Sequence, residues 1–161
     1  MASCPEVDTS TIETQQEAAG YEIRRVRTRA ELDGAMALRY DVFCVEQGVP
    51  VTEERDGRDH LGLHLIAVGG DGEMLGTCRL VFAGSTVQFS RLAVARPARR
   101  RRIATALLQV ADAEASDGGA DRLVLHAQTY ARSLYEQAGY VARGREFREA
   151  GIDHVAMEKV L

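Results

Sequence analysis

Four consecutive arginines, Arg99 to Arg102, stand between a run of alternating apolar residues and a run at helical spacing that begins near Ile103. A helix N-terminus carries free backbone N–H groups and a partial positive charge, so it attracts anions. Guanidinium groups add forked donors that match phosphate oxygens, and the small residues Ala98 and Ala104 permit close backbone approach. The run fits a phosphate cradle, but a solvated basic turn and a nucleic-acid patch explain it as well.

A second charged run, EERDGRDH over residues 53–60, carries oxygen ligands of the kind that calcium and magnesium prefer. It lacks the fixed ligand order of a calcium loop, so we predict a solvated acidic loop and no metal site. A further hypothesis is that Asp56 and Asp59 attract a cationic substrate. The three cysteines are scattered, which argues against a disulfide framework and a zinc knuckle.

Length and charge limit the classes of protein. A chain of 161 residues is one domain by default, and a net charge of −4 disfavours a nucleic-acid partner. No apolar run approaches the ~20 residues that span a bilayer, so we expect no membrane partner. The polar N-terminus lacks the basic start and apolar centre of a signal peptide. We therefore predict a cytoplasmic protein with a disordered lead-in over residues 1–19 and one domain over residues 20–161.

Hydrophobic periodicity predicts the element order β-α-β-β-β-α-β-α-β-β. The first helix is expected over about residues 30–47, three sequential strands between residues 63 and 95, and the next helix from Ile103. The last two strands, YVARG and HVAMEKVL, are expected to flank a loop, REFREAGID. Sequential strands together with a later strand-helix-strand crossover predict an α/β fold, a mixed central sheet flanked by helices.

The stretch LAVARPARRRRIATALL resembles motif A of the GCN5-related N-acetyltransferases, the GNAT superfamily. The phosphate loop of that family reads Gln/Arg-x-x-Gly-x-Gly/Ala. Arg99 and Ala104 match this pattern, whereas Arg102 stands where the family usually has glycine. Either Arg102 avoids a positive φ and its side chain points outward, or coenzyme A binds more weakly.

The stretch AQTYARSLYEQAGY resembles motif B of the same superfamily. The matching residues are Ala131, Leu134, Tyr135 and Gly139. Tyr140 replaces the aromatic residue of the motif, and Gln128 replaces its asparagine. Further runs, such as VFCVEQ, LHAQ and GIDHVAM, resemble the small ElaA-like branch, so the similarity covers about residues 21–161.

This resemblance implies the GNAT acyl-CoA N-acyltransferase fold and acetyl transfer from acetyl-CoA to an amine by direct attack in a ternary complex. It implies no metal. The backbone of Leu92 and Val94 would pair with the pantetheine arm as a strand edge pairs with an extended peptide. Tyr135 would donate a proton to the departing thiolate. The residues implied for cofactor binding are Leu92, Ala93, Val94, Arg99, Arg100, Arg101, Arg102, Ile103, Ala104, Thr105, Gln128, Arg132 and Tyr135.

The motifs define the binding site of the amine acceptor less sharply than that of the cofactor. The candidate residues for the acceptor site are Glu46, Gln47, His64, His126 and His154. A carboxylate or a neutral histidine suits the removal of a proton from an amine. We take Glu46 as catalytic together with Tyr135, but the identity of the base stays open between Glu46 and the three histidines. His126 lies on an alternating strand, so its neighbours should face the opposite side.

We thus expect an N-acetyltransferase that acts on the primary amine of a small-molecule or peptidic acceptor, as a monomer or a homodimer. One rival is a catalytically silent acyl-CoA-binding or sensing module, which fits if Arg102 impairs the cradle or Tyr135 is dispensable. The other rival is a nucleic-acid binder. It is disfavoured because no aromatic residues interleave with the arginine run and the chain is net acidic.

Overall fold

The computed structural model describes residues 9–161. Its elements are α1 (Thr9–Ala19), β1 (Tyr21–Arg25), α2 (Arg29–Arg39), a π-helical segment (Tyr40–Glu46), α3 (Val51–Glu54), β2 (Leu63–Gly69), β3 (Met74–Ala83), β4 (Thr86–Val94), α4 (Ile103–Asp117), β5 (Arg122–Gln128), α5 (Arg132–Gln137), β6 (Val141–Glu149) and β7 (Ile152–Val160). The predicted order of strands and main helices is confirmed, and α1 and α3 are additional.

The seven strands form one sheet in the order β1-β2-β3-β4-β5-β7-β6. Only β4 and β5 are parallel neighbours, and every other adjacent pair is antiparallel. The larger apolar core lies between the sheet and α4, and a smaller one joins α2 and the π-helical segment to β4. The predicted mixed sheet flanked by helices is therefore confirmed.

The first turn of α4 packs directly on β3. A Cβ at Gly76 would lie 2.9 Å from Cγ2 of Ile103 and 3.1 Å from Cδ1 of Leu107, which is closer than side chains normally approach. Further along α4, Ala111 and Ala115 are fully buried at the same helical spacing. This close contact fixes the N-terminus of α4 beside the end of β4.

The lead-in prediction is wrong for residues 9–19, which form α1; residues 1–8 lie outside the described residues. Ile12 is buried in this helix, and the side-chain oxygen of Gln16 accepts a hydrogen bond of 2.9 Å from the backbone N–H of Ile23. Together with a bond from Arg101 to the Ala19 carbonyl, these contacts bind α1 to the domain. Most of its other residues are polar, which is why composition alone suggested disorder.

The loop predicted between the last two strands is also wrong. β6 continues to Glu149, and the chain reverses at Ala150 and Gly151, which have φ values of 53° and 75°. Phe147 pairs with His154 across this hairpin. β6 is the edge strand and most of its residues are exposed, so its sequence lacks the apolar alternation that marks a half-buried strand.

The segment between α2 and β2 is not simply a solvated acidic loop, because the carboxylates of Glu54, Asp56 and Asp59 pair with arginines, two of which are almost fully buried. The ion cluster comprises Arg39, Arg79, Arg91, Glu54, Asp56 and Asp59. Arg79 lies 2.7 Å from Asp56 and 2.9 Å from Asp59, and the side chains of Arg39 and Arg79 are 1% and 2% exposed. The Arg79 hydrogen bond holds the pKa of Asp56 well below its usual range. The prediction of a solvated loop is therefore wrong, because three arginines from distant parts of the chain bind its carboxylates.

The end of β7 is fastened to α4. Lys159, the only lysine of the chain, forms an ion pair with Asp112 of α4. A Cβ at Gly139 would lie 3.2 Å from Cε of Lys159, so the lysine stem passes close under the turn after α5. Among residues 9–161, no helix combines the length and apolar character needed to cross a membrane.

Candidate active site

A wedge-shaped cleft opens between β4 and β5. The two strands pair only from Thr86 to Gln88 on β4 and from Arg122 to Val124 on β5. Beyond these residues they diverge, and the cleft between them has a volume of about 1390 Å³. That volume exceeds the ~300–1000 Å³ of a site for one small molecule, so the cleft has room for a large ligand or for two ligands.

A β-bulge at Arg91 shapes the β4 wall of this cleft. Thr77 of β3 pairs with Ala93 whereas Arg79 pairs with Ser90, so β4 carries one extra residue there. Arg91 has a φ of 58°, and its guanidinium donates 3.0 Å to the carbonyl of Glu54. The bulge reverses the alternation, so that Ala93 joins the smaller core while Leu92 and Val94 pack against the larger one.

The arginine loop, residues 99–102, leads from this wall into α4 with alternating left-handed backbone. Arg100 has a φ of 64°, and Arg102, the residue before α4, has a φ of 59° and a ψ of 24°. For a residue other than glycine, this left-handed backbone conformation costs about 1–2 kcal/mol. Of the two alternatives given for Arg102, the one in which it avoids a positive φ is therefore wrong, and weaker binding of coenzyme A stays a prediction. The loop keeps a backbone shape that favours glycine and exposes a side chain from it.

The side chains of the arginine loop have different surroundings. Arg99 donates to both carboxylate oxygens of Glu46, at 3.0 and 2.8 Å, and to the carbonyl of Val94 at 3.2 Å. Arg101 turns away and donates to the carbonyl of Ala19 in α1. Arg100 and Arg102 line the cleft, and within residues 9–161 neither forms an ion pair.

Tyr135 of α5 lies on the wall of the cleft that follows β5, across from the arginine loop. Its ring makes edge contacts with Phe89, at a centroid distance of 6.5 Å, and with Tyr140, at 5.9 Å. The residue is only 8% exposed, and burial raises the pKa of its phenol well above the usual value. In the described part of the chain no group hydrogen-bonds its hydroxyl, although the residue lines the cleft. The site therefore holds a neutral phenol with an unused donor.

The end of the first helical region crosses the mouth of the cleft. The α-helix predicted to reach Gln47 ends at Arg39 and continues as the π-helical segment, a form often found at functional sites. Gln47 donates from Nε2 to the hydroxyl of Tyr130 at 3.3 Å, and its Oε1 accepts from Gln128 at 2.8 Å. With the Glu46–Arg99 pair, these bonds link the segment to both walls.

Two histidines and a carboxylate meet on the sheet face away from α4. Nδ1 of His126 lies 3.3 Å from Oε1 of Glu149, and Nε2 of His154 lies 3.8 Å from Oε2 of the same residue. Phe147 contacts His126 edge-on at 4.9 Å and stacks on His154 at 6.0 Å with planes 20° apart. Except for Phe147, these residues line the cleft, on the side of the wedge opposite Tyr135.

Most of the residues singled out in the sequence meet in the cleft. The predicted residues that line it are Glu46, Gln47, Leu92, Ala93, Val94, Arg99, Arg100, Arg102, Ile103, Ala104, Thr105, His126, Gln128, Tyr135 and His154. Three of the predicted residues do not line the cleft. Arg101 points toward α1, and Arg132 pairs with Glu136 on the outer side of α5. His64 is buried, with its ring 2.9 Å from the carbonyl of Asp59.

Sequence reasoning missed Glu149, Phe147 and Tyr130. The first two were assigned to a loop, and no local motif marks them, because strand pairing with β7 is what brings them to the histidines. Tyr130 lies two residues after the LHAQ run, and its position there was the available signal; in the structure it is 75% exposed. Over residues 9–161, no group of three or more histidine, cysteine, aspartate or glutamate side chains has an arrangement that would hold a metal ion.

Comparison with known proteins adds an independent observation. A family model described as acetyltransferase (GNAT) domain matches residues 42–161. YjcF of Bacillus subtilis, named an uncharacterized N-acetyltransferase, is 31% identical over 134 residues, which are 83% of this chain and 95% of that protein. An acyl-CoA N-acyltransferase from Pseudomonas aeruginosa superimposes with a TM-score of 0.76 at 28% identity, covering 86% of this chain and 98% of that one. Escherichia coli ElaA, at 21% identity, shares the fold with a TM-score of 0.77 over 86% of this chain and 99% of its own.

Proposed function

This chain belongs to the GNAT acetyltransferase family, as its motifs predicted, and from that premise we propose that it transfers an acetyl group from acetyl-CoA to a primary amine of a small-molecule or peptidic acceptor. The observation that carries the proposal is the cleft itself. It joins a helix N-terminus, flanked by two arginines that form no ion pair within residues 9–161, to a buried phenol and, on the far side, to a histidine–carboxylate group. Both substrates would occupy it together, so the amine would attack the thioester directly.

The arginine loop fits the pyrophosphate. The first backbone N–H groups of an α-helix have no intrahelical partner, and in α4 these belong to Ile103, Ala104 and Thr105. Alternating left-handed residues in the loop before it form the kind of concave backbone that binds anions. The exposed guanidinium groups of Arg100 and Arg102 add charge at the same place. Since the backbone would make the main contacts, an arginine at the glycine position is compatible with binding.

The β4 wall fits the pantetheine arm. Where β4 separates from β5, its edge faces the cleft instead of a neighbouring strand, and an extended ligand can pair with such an edge. The backbone of Leu92, Ala93 and Val94 forms this stretch. Arg99 holds the Val94 carbonyl through its side chain and would release it when the ligand pairs there.

Tyr135 is suited to protonate the departing sulfur. Coenzyme A supplies the activated acetyl group as a thioester, and its sulfur leaves as a thiolate. A buried phenol with a raised pKa stays protonated at neutral pH, so its proton is available when the thiolate forms. The edge contacts with Phe89 and Tyr140 fix the direction of the ring.

Thiol release with an amine panel tests the proposal. Acetyl-CoA would be incubated with the protein and with cadaverine, 2-phenylethylamine, glucosamine or a lysine peptide, and free thiol would be followed. Calorimetry would measure acetyl-CoA binding in parallel. Thiol release that depends on an amine supports the proposal. Binding without release from any amine contradicts it and favours the silent acyl-CoA-binding module.

The role of Tyr135 has its own test. Tyr135→Phe removes only the hydroxyl, so we expect turnover to fall by roughly 100-fold or more while the Kd for acetyl-CoA stays nearly constant. Tyr130→Phe is the matched control, because Tyr130 is exposed and bonded to Gln47. Unchanged turnover in Tyr135→Phe would remove the acid role.

A further inference from the structure

The His126–Glu149–His154 group has the arrangement of an oriented base. His126 is on β5, Glu149 is on β6, and His154 is on β7, so three strands hold the group on one face of the sheet. The side chains of His126 and Glu149 remain 45% and 51% exposed, while that of His154 is 9% exposed. A ligand in the cleft can therefore reach His126, and His154 lies behind Glu149 as support.

The hydrogen-bond partners determine which ring nitrogen carries the proton. A carboxylate only accepts, so the 3.3 Å contact with Glu149 places a proton on Nδ1 of His126 and leaves Nε2 as the accepting atom of the neutral ring. A backbone carbonyl also only accepts, so the 2.8 Å contact with the Ile152 oxygen places a proton on Nδ1 of His154. The Glu149 carboxylate thus orients the His126 imidazole, whose Nε2 is left to accept a proton. A base and its orienting group are paired in this way in nucleophilic catalysis.

The other candidates for the base are engaged elsewhere. Both oxygens of Glu46 accept from Arg99, and Arg96 lies 3.7 Å away, so two arginines hold this carboxylate in its charged form and direct it toward the arginine loop. His64 is buried outside the cleft and bonded to the carbonyl of Asp59.

We propose that His126 removes the proton from the acceptor, that Glu149 positions it, and that the acceptor is a primary alkylamine that arrives as its ammonium ion. This inference rests on the proposed acetyl transfer. The ammonium gives one proton to Nε2 of His126, which passes it to solvent. The free amine then forms the C–N bond as the C–S bond breaks, and Tyr135 protonates the sulfur. The second amine proton returns to the Tyr135 oxygen, so the reaction yields the amide, the thiol and one proton.

The charges around His126 suit a cationic acceptor. Glu149 faces the ring from β6, with His154 of β7 behind it. A hollow of about 120 Å³ on the other side of His126 is lined by Arg143 and Glu158, and Glu158 pairs with Arg143 at 2.8 Å and with Arg122 at 3.7 Å. Among residues 9–161, the charged group that contacts the His126 ring itself is the carboxylate of Glu149, which attracts an ammonium and stabilises the imidazolium formed by proton transfer.

The test compares two variants over a range of pH and of acceptors. His126→Asn is expected to lower kcat/KM roughly 100-fold at pH 7 for the alkylamine of the panel that the wild type uses best. The loss should shrink as pH rises and should nearly vanish with 2,2,2-trifluoroethylamine, a weakly basic amine that is already deprotonated at neutral pH. Glu149→Gln should show a smaller loss of kcat/KM with the same dependence on pH and on the acceptor. His60→Asn, an exposed histidine outside the cleft, is the control and should match the wild type.

Binding of acetyl-CoA, measured by calorimetry, confirms that each variant is folded, because no residue proposed to hold the cofactor is changed. A loss in His126→Asn that is equal for the panel alkylamine and 2,2,2-trifluoroethylamine, or no loss, overturns the inference while leaving acetyl transfer intact. A pH-dependent loss in Glu46→Gln instead of His126→Asn also overturns it. If the wild type releases no thiol with any amine, the proposed function fails and the inference fails with it.

Discussion

The arginine loop and the ion cluster use one residue type for opposite purposes. In the cluster, Arg39 and Arg79 are almost fully buried and each contacts two carboxylates. In the loop, Arg100 and Arg102 are exposed, have no carboxylate partner among residues 9–161, and adopt a strained backbone. A buried, compensated charge serves the fold, because removing one partner leaves the other unpaired. An exposed, uncompensated charge on strained backbone costs stability and is available to a ligand.

Removing a cluster arginine should have the largest effect on stability. Arg79→Met removes the main partner of Asp56 and one of the two arginine partners of Asp59, and it leaves both carboxylates beside a gap in the cluster, so the free energy of unfolding should fall by about 3–5 kcal/mol. Urea denaturation measures the change. Arg143→Met, which breaks the exposed pair with Glu158, is the matched control and should change it by less than about 1 kcal/mol. Equal small effects would mean that the cluster does not hold the fold.

Acid should weaken the cluster through Asp56. The folded-state pKa of Asp56 is lowered, chiefly by the Arg79 hydrogen bond, so its contribution is complete above the unfolded-state pKa of ~3.9 and is lost as pH falls toward the folded value. Asp56→Asn should therefore destabilise the protein by about 1.5–3 kcal/mol at pH 7. The difference from the wild type should narrow below pH 4, as unfolding at each pH would show. A constant difference over that range would contradict the assignment.

Changes in the arginine loop should affect binding more than folding. Arg102→Gly relieves the left-handed strain but adds freedom to the unfolded chain, so stability should shift by less than about 1 kcal/mol. Loss of the exposed charge should weaken acetyl-CoA binding by roughly 3- to 10-fold, and less at high salt. Arg101→Ala is the control, since Arg101 points toward α1. Tighter binding by Arg102→Gly would show that the side chain obstructs the cradle.

The smallest effect is expected at the contact between the loop and the cleft mouth. Glu46→Gln releases Arg99 from its ion pair and leaves it free for the pyrophosphate. Exposed pairs contribute about 0.2–1 kcal/mol, so acetyl-CoA affinity should rise by roughly two- to five-fold in calorimetry. Turnover should persist, because the base is assigned to His126. Weaker binding would indicate that Glu46 orders the cleft.

What the sequence could and could not predict follows from the range of each signal. The alternating run before Arg99 and the helical run from Ile103 are local, and both elements lie where the periodicity indicated. The pairs Arg79–Asp56 and His126–Glu149 join residues 23 apart in both cases, and only strand register and loop packing bring them together. The sequence showed that these residues are charged. It did not show whether each charge would be solvated or would pair with another side chain.

Lys159 has a consequence for assays of such a protein. Because it is the only lysine and is bound to Asp112, a protein that acetylates amines offers almost no side-chain amine of its own as a competing acceptor. Acetyl-lysine detected in a reaction mixture can therefore be attributed to the added acceptor with little background. The positive charge of the surface is carried by guanidinium groups, which lysine acetylation does not neutralise.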